Sequence, residues 1–292
     1  MTSNHTSLLL LGKLLTYTVI KKNSIQSLEE VEFKVFSQFG DDGIIQYLIR
    51  KIKIDNRVFI EFGVEKYVES NTRFLLINNN WKGLVIDCTE SDIQSIKTDD
   101  IYWKYNITAV SKFITRENIN EIFISNNIVG EIGILSIDVD GNDYWVWESI
   151  TSVKPAIVII EYNSVFGPDF AITIPYKSTF NRTKAHYSNL YWGSSLKALI
   201  SLGTKKGYNF IGCNSNGNNA YFVKKDKMGK LKKKNIRTGY VISQFRESRD
   251  KKGNLTFISD NDRLKTIKDL VVFDIEKKRT ISIFNLYFNK DY

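Results

Sequence analysis

The sequence predicts an α/β fold with a mostly parallel, doubly wound sheet. Short apolar runs typical of buried strands recur along the chain, and segments with helical periodicity separate them. Because strand and helix alternate, successive strands should run parallel with helices on both faces. Four acids stand where successive predicted strands end, namely Glu61, Asp87, Asp138 and Glu161. A buried acid is costly unless something requires it, so these acids indicate a ligand rich in hydroxyl groups or positive charge, or a metal.

The first part of the chain predicts two helices before the first strand. Residues 7–20 form an apolar segment interrupted by Lys13, which favours an amphipathic helix; at 14 residues it is shorter than the roughly 20 needed to cross a bilayer. Apolar residues at helical spacing over 44–52 predict a second helix, capped by Asp41 or Asp42.

The later elements follow in the same alternation. Strands are predicted at 58–62, 84–86, 102–110, 132–138 and 156–160, and helices at 71–79, 92–97, 115–126, around 145–150 and at 193–202. Ser70 or Asn71 should cap the 71–79 helix, and Lys154-Pro155 should break the structure before the fifth strand. Segments 207–213 and 220–223 predict a β-hairpin, so the sheet should end in an antiparallel pair.

The domain division follows from these patterns. We expect an N-terminal helical extension over 1–36, one main domain over 37–230, and a C-terminal extension of mixed helix and strand over 231–292 that packs on the domain.

The charge of the chain is +9, and the lysine-rich segment 224–237 holds a single acid, Asp226. Such a segment is either a solvated loop or a patch for an anionic partner: a phosphate-bearing glycan, a nucleotide-linked sugar or a membrane surface. Nucleic acid is not expected, because no recognition helix or RNA-binding signature accompanies it. Cys88 and Cys213 lie in apolar strand contexts, which predicts buried free thiols and a cytoplasmic protein; attachment to the inner face of the membrane stays open.

A nucleoside site is predicted from the first two strands. Glu61-x-Gly63 ends the first strand, and a glycine there permits a sharp turn and the close approach of a ligand. Ligands of open α/β sheets bind beyond the carboxyl ends of the strands. Asp87 follows 24 residues after Gly63, the spacing typical of an acid that accepts hydrogen bonds from ribose hydroxyls.

Together the motifs resemble those of class I S-adenosylmethionine-dependent methyltransferases and, within them, the FkbM-like family. They cover residues 37–225 and are Ser37-Gln38-x-Gly40-x-Asp42-Gly43, Glu61-x-Gly63, Asn71-Thr72, Trp81-x-Gly83, Asp87, the segment 136–143 and Glu161-Tyr162-Asn163. The resemblance implies a Rossmann-like, seven-stranded sheet whose last strand is antiparallel, and S-adenosylmethionine as cofactor. After Gly63 the chain continues Val-Glu-Lys, without the second glycine usual in such a loop.

The resemblance also implies roles for single residues. Glu61 and Gly63 would flank the methionine part of the cofactor, with Asn71 and Thr72 nearby, and Asp87 would hold the ribose. Residues from Asn106 to Ala109 would border the adenine, and Gln38 and Gly40 would close over the cofactor. Asp138 would contact it as well.

Methyl transfer requires a base near the acceptor hydroxyl. Asp138 and Asp140 are the first candidates, and His186, in a polar and aromatic loop, is their rival. Asp138 and Asp140 would alternatively hold a divalent metal, Mg or Mn, together with Glu161 and Asn163, since hard oxygen ligands suit these ions. In the simpler interpretation, Asp140 and Asp143 cap the helix that follows and Glu161 meets a backbone N–H.

We therefore expect an S-adenosylmethionine-dependent O-methyltransferase that acts on a sugar hydroxyl in surface polysaccharide or capsule biosynthesis. The acceptor would be a glycan or a nucleotide-linked sugar, and a homo-oligomer stays open. One alternative is a Rossmann-type nucleotide-sugar oxidoreductase or epimerase, which would require Gly-x-Gly-x-x-Gly after the first strand; that motif is absent there. Another is a non-catalytic protein that binds a partner.

Overall fold

A computed structural model of the chain describes residues 3–289. The main sheet has seven strands in the order β3-β2-β1-β4-β5-β8-β7. Its strands are β1 (Val58–Phe62), β2 (Lys82–Asp87), β3 (Ile107–Ser111), β4 (Gly130–Ile137), β5 (Val153–Glu161), β7 (Tyr208–Cys213) and β8 (Asn219–Lys224). Strands β3, β2, β1, β4 and β5 are parallel, and β8 is antiparallel to both of its neighbours. The prediction of a Rossmann-like seven-stranded sheet whose last strand is antiparallel is confirmed.

A second, three-stranded sheet has the order β10-β9-β6. Its strands are β6 (Ile172–Thr173), β9 (Val271–Asp274) and β10 (Arg279–Ser282). Strand β6 belongs to the main part of the chain and pairs with β9 from the C-terminal part. Backbone hydrogen bonds therefore join the segment after residue 231 to the segment before it.

Helices cover both faces of the main sheet. They are α1 (Ser3–Ile20), α2 (Asp41–Lys51), α3 (Arg73–Asn79), α4 (Glu90–Thr98), α5 (Asp100–Lys104), α6 (Ile119–Ser125), α7 (Asp143–Ser149), α8 (Arg182–Ala185), α9 (Leu196–Lys205), α10 (Ile236–Gly239), α11 (Asp260–Thr266) and α12 (Ile283–Tyr287). Alternate residues of each strand point to opposite faces, so Phe59 packs in the layer that contains α1 to α5 and Ile60 in the layer that contains α6, α7 and α9. A third apolar cluster surrounds the small sheet.

Two predicted strand boundaries are wrong. Residues 102–104 belong to α5, because the Asp99 side chain accepts the N–H of Ile101 and caps that helix, and β3 begins only at Ile107. Pro155 lies inside β5 rather than breaking the structure before it. The pairing of β5 with β8 begins at Ile157, so the missing N–H of Pro155 removes no bond to β8.

The predicted helix caps are also wrong. Asp41 is the first residue of α2, and the Asp42 carboxylate turns back to accept the N–H groups of Val35, Phe36 and Ser37 in the preceding loop. Helix α3 begins after Thr72 instead of Ser70 or Asn71, because those two residues bind Glu61.

The two cysteines differ in their surroundings. Cys213 is buried, as predicted, but Cys88 is exposed, because β2 ends one residue earlier and Cys88 lies in the loop beyond it. Within residues 3–289 we find no helix with the length and apolar character required to traverse a lipid bilayer.

Candidate active site

A large cavity lies beyond the carboxyl ends of the parallel strands, where an open α/β sheet binds ligands. The ends of β1, β2, β4 and β5 form its floor, and residues 180–192 and 243–253 contribute to its wall. Its volume is about 1110 Å³. Ligand pockets commonly measure about 300–1,000 Å³, so this cavity has room for two ligands side by side.

Glu61, at the end of β1, is buried and fastens the loop before α3. Its Oε1 accepts the N–H of Asn71 at 2.8 Å, and its Oε2 accepts the Ser70 hydroxyl at 2.7 Å and the N–H of Thr72 at 3.0 Å. Burial raises the pKa of Glu61, and these hydrogen bonds oppose the rise. Most of the accepting capacity of the carboxylate is used, so its evident effect is to hold Asn71 at the cavity wall.

Gly63 is required by the backbone itself. Its φ is +65°, and a Cβ added there would lie 2.3 Å from the carbonyl oxygen of Asp138. The glycine therefore lets the loop after β1 pass directly over the end of β4. This close approach is between two backbone segments; Gly63 also lines the cavity, so the approach of a ligand stays a prediction.

Asp87 lies at the end of β2, where backbone hydrogen bonds hold its carboxylate in place but leave it able to accept further hydrogen bonds. Its Oδ2 accepts the N–H of Glu65 at 2.9 Å and its Oδ1 accepts the N–H of Thr89 at 2.9 Å. The carboxylate lines the cavity, and each of its oxygens has a second lone pair. Asp87 is thus oriented to accept hydrogen bonds from two adjacent hydroxyl groups.

The structure brings only some of the other predicted cofactor residues to the cavity. Gln38 and Asn71 line it. Gly40 packs against the side chain of Glu32, and Thr72 is buried beside Tyr67. Asn106 and Ala109 lie at the start and middle of β3, away from the cavity lining. The cavity is instead bordered on this side by loop residues that the sequence analysis missed, namely Cys88, Thr89, Lys112, Phe113 and Ile114. Their positions immediately after β2 and β3 were the available signal.

Three acids meet where β4 and β5 end. Carboxylate oxygens of Asp138, Asp140 and Glu161 all lie within 4.8 Å of one another. Burial and repulsion by Asp140 and Asp143 raise the pKa of Asp138 well above its usual value, and burial and repulsion by Asp138 do the same for Glu161. Among the described residues, none donates a hydrogen bond to Oε2 of Glu161. The three carboxyl groups therefore cannot all be ionised without repulsion, which protons, a basic side chain or a metal cation would relieve.

Arg182, which the sequence analysis missed, is the cation that the structure places there. It forms an ion pair with Asp140 at 2.8 Å and a longer one with Glu247 at 3.5 Å, and its guanidinium lies over the ring of Trp192 at 4.7 Å. No local motif marks Arg182, because its partners lie 42 and 65 residues away along the chain.

Asn163 and His186 are placed less favourably than the sequence suggested. The Asn163 amide donates to the carbonyls of Leu190 and Trp192 and accepts the N–H of Val165, so it braces the cavity wall. His186 contacts Ser188 through Nδ1 at 2.7 Å and lies outside the cavity lining, and burial lowers its pKa. Asp143 does not cap α7 either; it accepts the N–H groups of Val139 and Gly141.

Aromatic rings cover one wall of the cavity. Phe180, Tyr187, Trp192 and Phe245 line it, as does Tyr162. Tyr176 and Tyr191 lie outside the cavity lining: the Tyr176 hydroxyl donates to Glu117, and the Tyr191 hydroxyl donates to the carbonyl of Val271.

The lysine-rich segment 224–237 lies at the opposite edge of the sheet. Lys224 pairs with Glu131, and Lys227 pairs with Asp55; these acids lie at the amino ends of β4 and β1. Residues 224–237 contribute nothing to the cavity lining, so this segment gives no support for a phosphorylated acceptor.

Comparisons with known proteins add little to this geometry. No protein-family model matches the sequence, and no curated protein does. Among solved structures, the N-terminal domain of EvdMO1 with SAH bound is 9% identical, with 58% of this chain and 73% of that chain covered at a TM-score of 0.38. A S-adenosylmethionine-dependent methyltransferase from Clostridium acetobutylicum ATCC 824 is 8% identical, with 63% and 90% covered at 0.40. M. capricolum TrmK in complex with SAH is 12% identical, with 64% and 70% covered at 0.37. At these identities and scores the similarities carry no conclusion about activity.

Proposed function

We propose that the protein is an S-adenosylmethionine-dependent O-methyltransferase that acts on a sugar hydroxyl. The observation that supports this most is the cavity at the carboxyl ends of β1, β2 and β4, where Asp87 offers oriented carboxylate oxygens. The ribose hydroxyls of S-adenosylmethionine would bind Asp87, and its adenine ring would lie toward Lys112–Ile114. Its methionine part would lie toward Gln38 and Asn71. The residual volume would hold the acceptor.

The chain's own residues supply the remaining requirements of the reaction. When bound, the cofactor supplies a methyl group on a sulfonium, which needs no further activation. The acceptor hydroxyl must be aligned with that methyl group and lose its proton as the new C–O bond forms. When no cation is bound, Asp138 is our candidate base, because its carboxyl group lies in the cavity lining at the end of β4. The rings of Trp192, Phe180 and Phe245 offer faces on which a sugar could stack.

We also propose that Asp138, Asp140 and Glu161 hold a divalent cation such as Mg²⁺ or Mn²⁺. The observations in favour are the 4.8 Å cluster and the unpartnered Oε2 of Glu161. Asn163 is left out of the ligand set that the sequence suggested, because its side-chain amide already has three partners. Such a cation would lower the pKa of a sugar hydroxyl that coordinates it.

The acceptor is a glycan or a nucleotide-linked sugar of a surface polysaccharide in this proposal. Lys251 and Lys252, from the C-terminal extension, line the cavity and would favour an acceptor with an anionic group. A nucleotide-sugar oxidoreductase is disfavoured by the antiparallel β8 next to β5, since the dinucleotide-binding sheet is all parallel in the order 3-2-1-4-5-6.

The test of the cofactor is calorimetry with S-adenosylhomocysteine and, separately, with NAD. We expect binding of the first alone, and Asp87→Ala should weaken it by about 30-fold or more, since two hydrogen bonds to a charged group are lost. Asp92→Ala is the matched control: this partly exposed acid of α4 lies five residues away and outside the cavity lining, so the variant should bind as the wild type does. Binding of NAD, or equal affinity in both variants, would contradict the proposal; binding without methyl transfer to any sugar would favour a non-catalytic role.

The test of the metal is titration of the wild type with Mn²⁺ in the absence of cofactor. Asp140→Asn should weaken binding by about tenfold or more, because the ion loses a charged ligand. Asp250→Asn removes an acid that lines the same cavity but lies outside the cluster, and it should have no effect. Equal affinity in the two variants would rule out this ligand set.

A further inference from the structure

Helix α1 has an apolar face that the described part of the chain, residues 3–289, leaves uncovered. Its inner face packs on the domain through Gly12, where an added Cβ would lie 2.6 Å from Val35, and through the buried Val19. On the outer face, Leu10, Leu11, Leu14 and Tyr17 are exposed by 61%, 51%, 61% and 63%. The solvent face of a surface helix is normally polar, and contiguous exposed apolar side chains mark an interaction site.

Lysines continue this face beyond the end of the helix. Lys21 is exposed and lies one turn after Tyr17. Lys51 approaches the carbonyl of Ile20 at 3.4 Å, which places the end of α2 beside the end of α1. Lys234 donates to the carbonyl of Gln26 at 2.7 Å, so the lysine-rich segment runs alongside the residues that follow α1.

The acids of this region are mostly engaged. Glu30 accepts the N–H groups of Gln26 and Ser27, Asp226 pairs with Lys224, and Asp55 pairs with Lys53 and Lys227. Glu29 is exposed. Exposed lysines outnumber these acids at the rim, with Lys13, Lys21, Lys230, Lys232 and Lys233. The surface therefore combines an apolar strip with a border that is net positive at the end of α1 beside the lysine-rich segment.

We propose that this surface, formed by the outer face of α1 and the lysines beside its end, docks on an anionic lipid membrane. Leucines would enter the boundary between headgroups and acyl chains while the lysines bind lipid phosphates. A second copy of the chain fits less well, because an identical surface offers these exposed lysines few unengaged acids as partners. The cavity opens at the carboxyl ends of the strands and the lysines lie at their amino ends, so docking leaves the candidate active site accessible.

Sedimentation with vesicles tests the proposal on the full chain. We expect the protein to pellet with vesicles that contain about one quarter phosphatidylglycerol and to remain in solution with pure phosphatidylcholine. The double variant Leu10→Gln/Leu14→Gln should reduce the apparent affinity for the anionic vesicles by about tenfold or more, because two leucines no longer enter the membrane. Lys232→Glu/Lys233→Glu should also weaken binding and lower its dependence on salt.

The matched control is Ile124→Gln, which alters an equally exposed apolar residue on α6, a helix of the other layer. It should bind vesicles as the wild type does. Three outcomes would overturn the proposal: no binding to anionic vesicles, equal loss in the control, or light scattering that shows a dimer abolished by the leucine variant. Calorimetry on the same variants should give the wild-type affinity for S-adenosylhomocysteine. The proposal of membrane docking can therefore be contradicted without contradicting the proposed activity, and the reverse also holds.

Discussion

At the end of β1, Gly63 shows how a single residue brings two parts of the candidate site together. Its positive φ and the nearby Asp138 carbonyl leave no space for a side chain. We expect Gly63→Ala to lower the free energy of unfolding by about 3 kcal/mol or more, since backbone strain and a clash with a carbonyl act together. Urea denaturation measures this.

Gly207, directly after the C-cap of α9, provides the control for that variant. Its φ is +87°, also positive, but an added Cβ would meet nothing within 4 Å. Gly207→Ala should therefore cost only about 1–2 kcal/mol, the strain of a positive φ alone. Equal losses in the two variants would show that the approach of Gly63 to Asp138 is unimportant.

Asp143 makes the stability of the site depend on pH. Burial raises the pKa of Asp143 from 3.8 to about 6, against the hydrogen bonds from Val139 and Gly141. Because the pKa of Asp143 is higher in the folded state than in the unfolded chain, protonation of Asp143 stabilises the folded state. This contribution to the free energy of unfolding is complete below pH 4 and is lost as the pH rises through 6. Asp143→Asn has no such titration.

The free energy of unfolding of the wild type should therefore exceed that of Asp143→Asn by most near pH 4, and this difference should shrink by about 2–3 kcal/mol by pH 7. Urea denaturation of both proteins at several pH values measures it. Asp262→Asn, an exposed acid of α11, should show a constant difference from the wild type across the same range. An advantage that grows with pH would contradict the assignment.

At the scale of elements, the limits of sequence reasoning lie at boundaries and caps. The alternation of apolar runs was sufficient for the sheet, because buried parallel strands leave a strong pattern. The ends of α2 and α3 depend on which polar group each acid meets in three dimensions: Asp42 binds the loop before α2, and Glu61 binds the residues before α3. Pro155 is tolerated in β5 only because β8 starts to pair two residues later.

The start of α2 is attached to the β7–β8 hairpin through Asp41. This buried carboxylate accepts hydrogen bonds from Asn219 at 3.0 Å, from Asn214 at 3.2 Å and from Tyr221. We expect Asp41→Ala to lower the free energy of unfolding by about 3–5 kcal/mol, because the buried donors lose their acceptor. Thermal and urea denaturation measure this effect. Asp92→Ala should cost less than about 1 kcal/mol, and a comparable loss there would contradict the argument.

At the scale of the whole molecule, the sequence indicated which edge of the sheet has the cavity but not the residues that complete its lining. Asp87 follows from its spacing after Gly63, and Gln38 follows from the family resemblance. Arg182 and Glu247 meet only because segments far apart in the chain converge on Asp140 and Asn189. The lysine-rich segment illustrates the same limit, since its charge was evident from sequence but its position at the opposite edge was not.

The C-terminal part should unfold together with the rest, because the small sheet and its apolar cluster draw on both. Trp145 of α7 donates to the Ile174 carbonyl and its ring packs on Phe273 of β9 at 5.4 Å, so its fluorescence reports on both parts. Ile267 is fully buried in that cluster. We expect Ile267→Ala to lower the free energy of unfolding by about 2–5 kcal/mol.

In urea, Ile267→Ala should shift a single unfolding transition to lower urea concentration. Circular dichroism and tryptophan fluorescence should report the same midpoint, and the slope of the free energy of unfolding against urea concentration should stay unchanged. Val271→Ala, at a residue that is 43% exposed in the neighbouring strand, should shift the midpoint little. A separate early transition in Ile267→Ala, with the main transition in place, would mean that the C-terminal part is an independent unit. Residues 243–253 would then form a movable wall of the cavity rather than a fixed one.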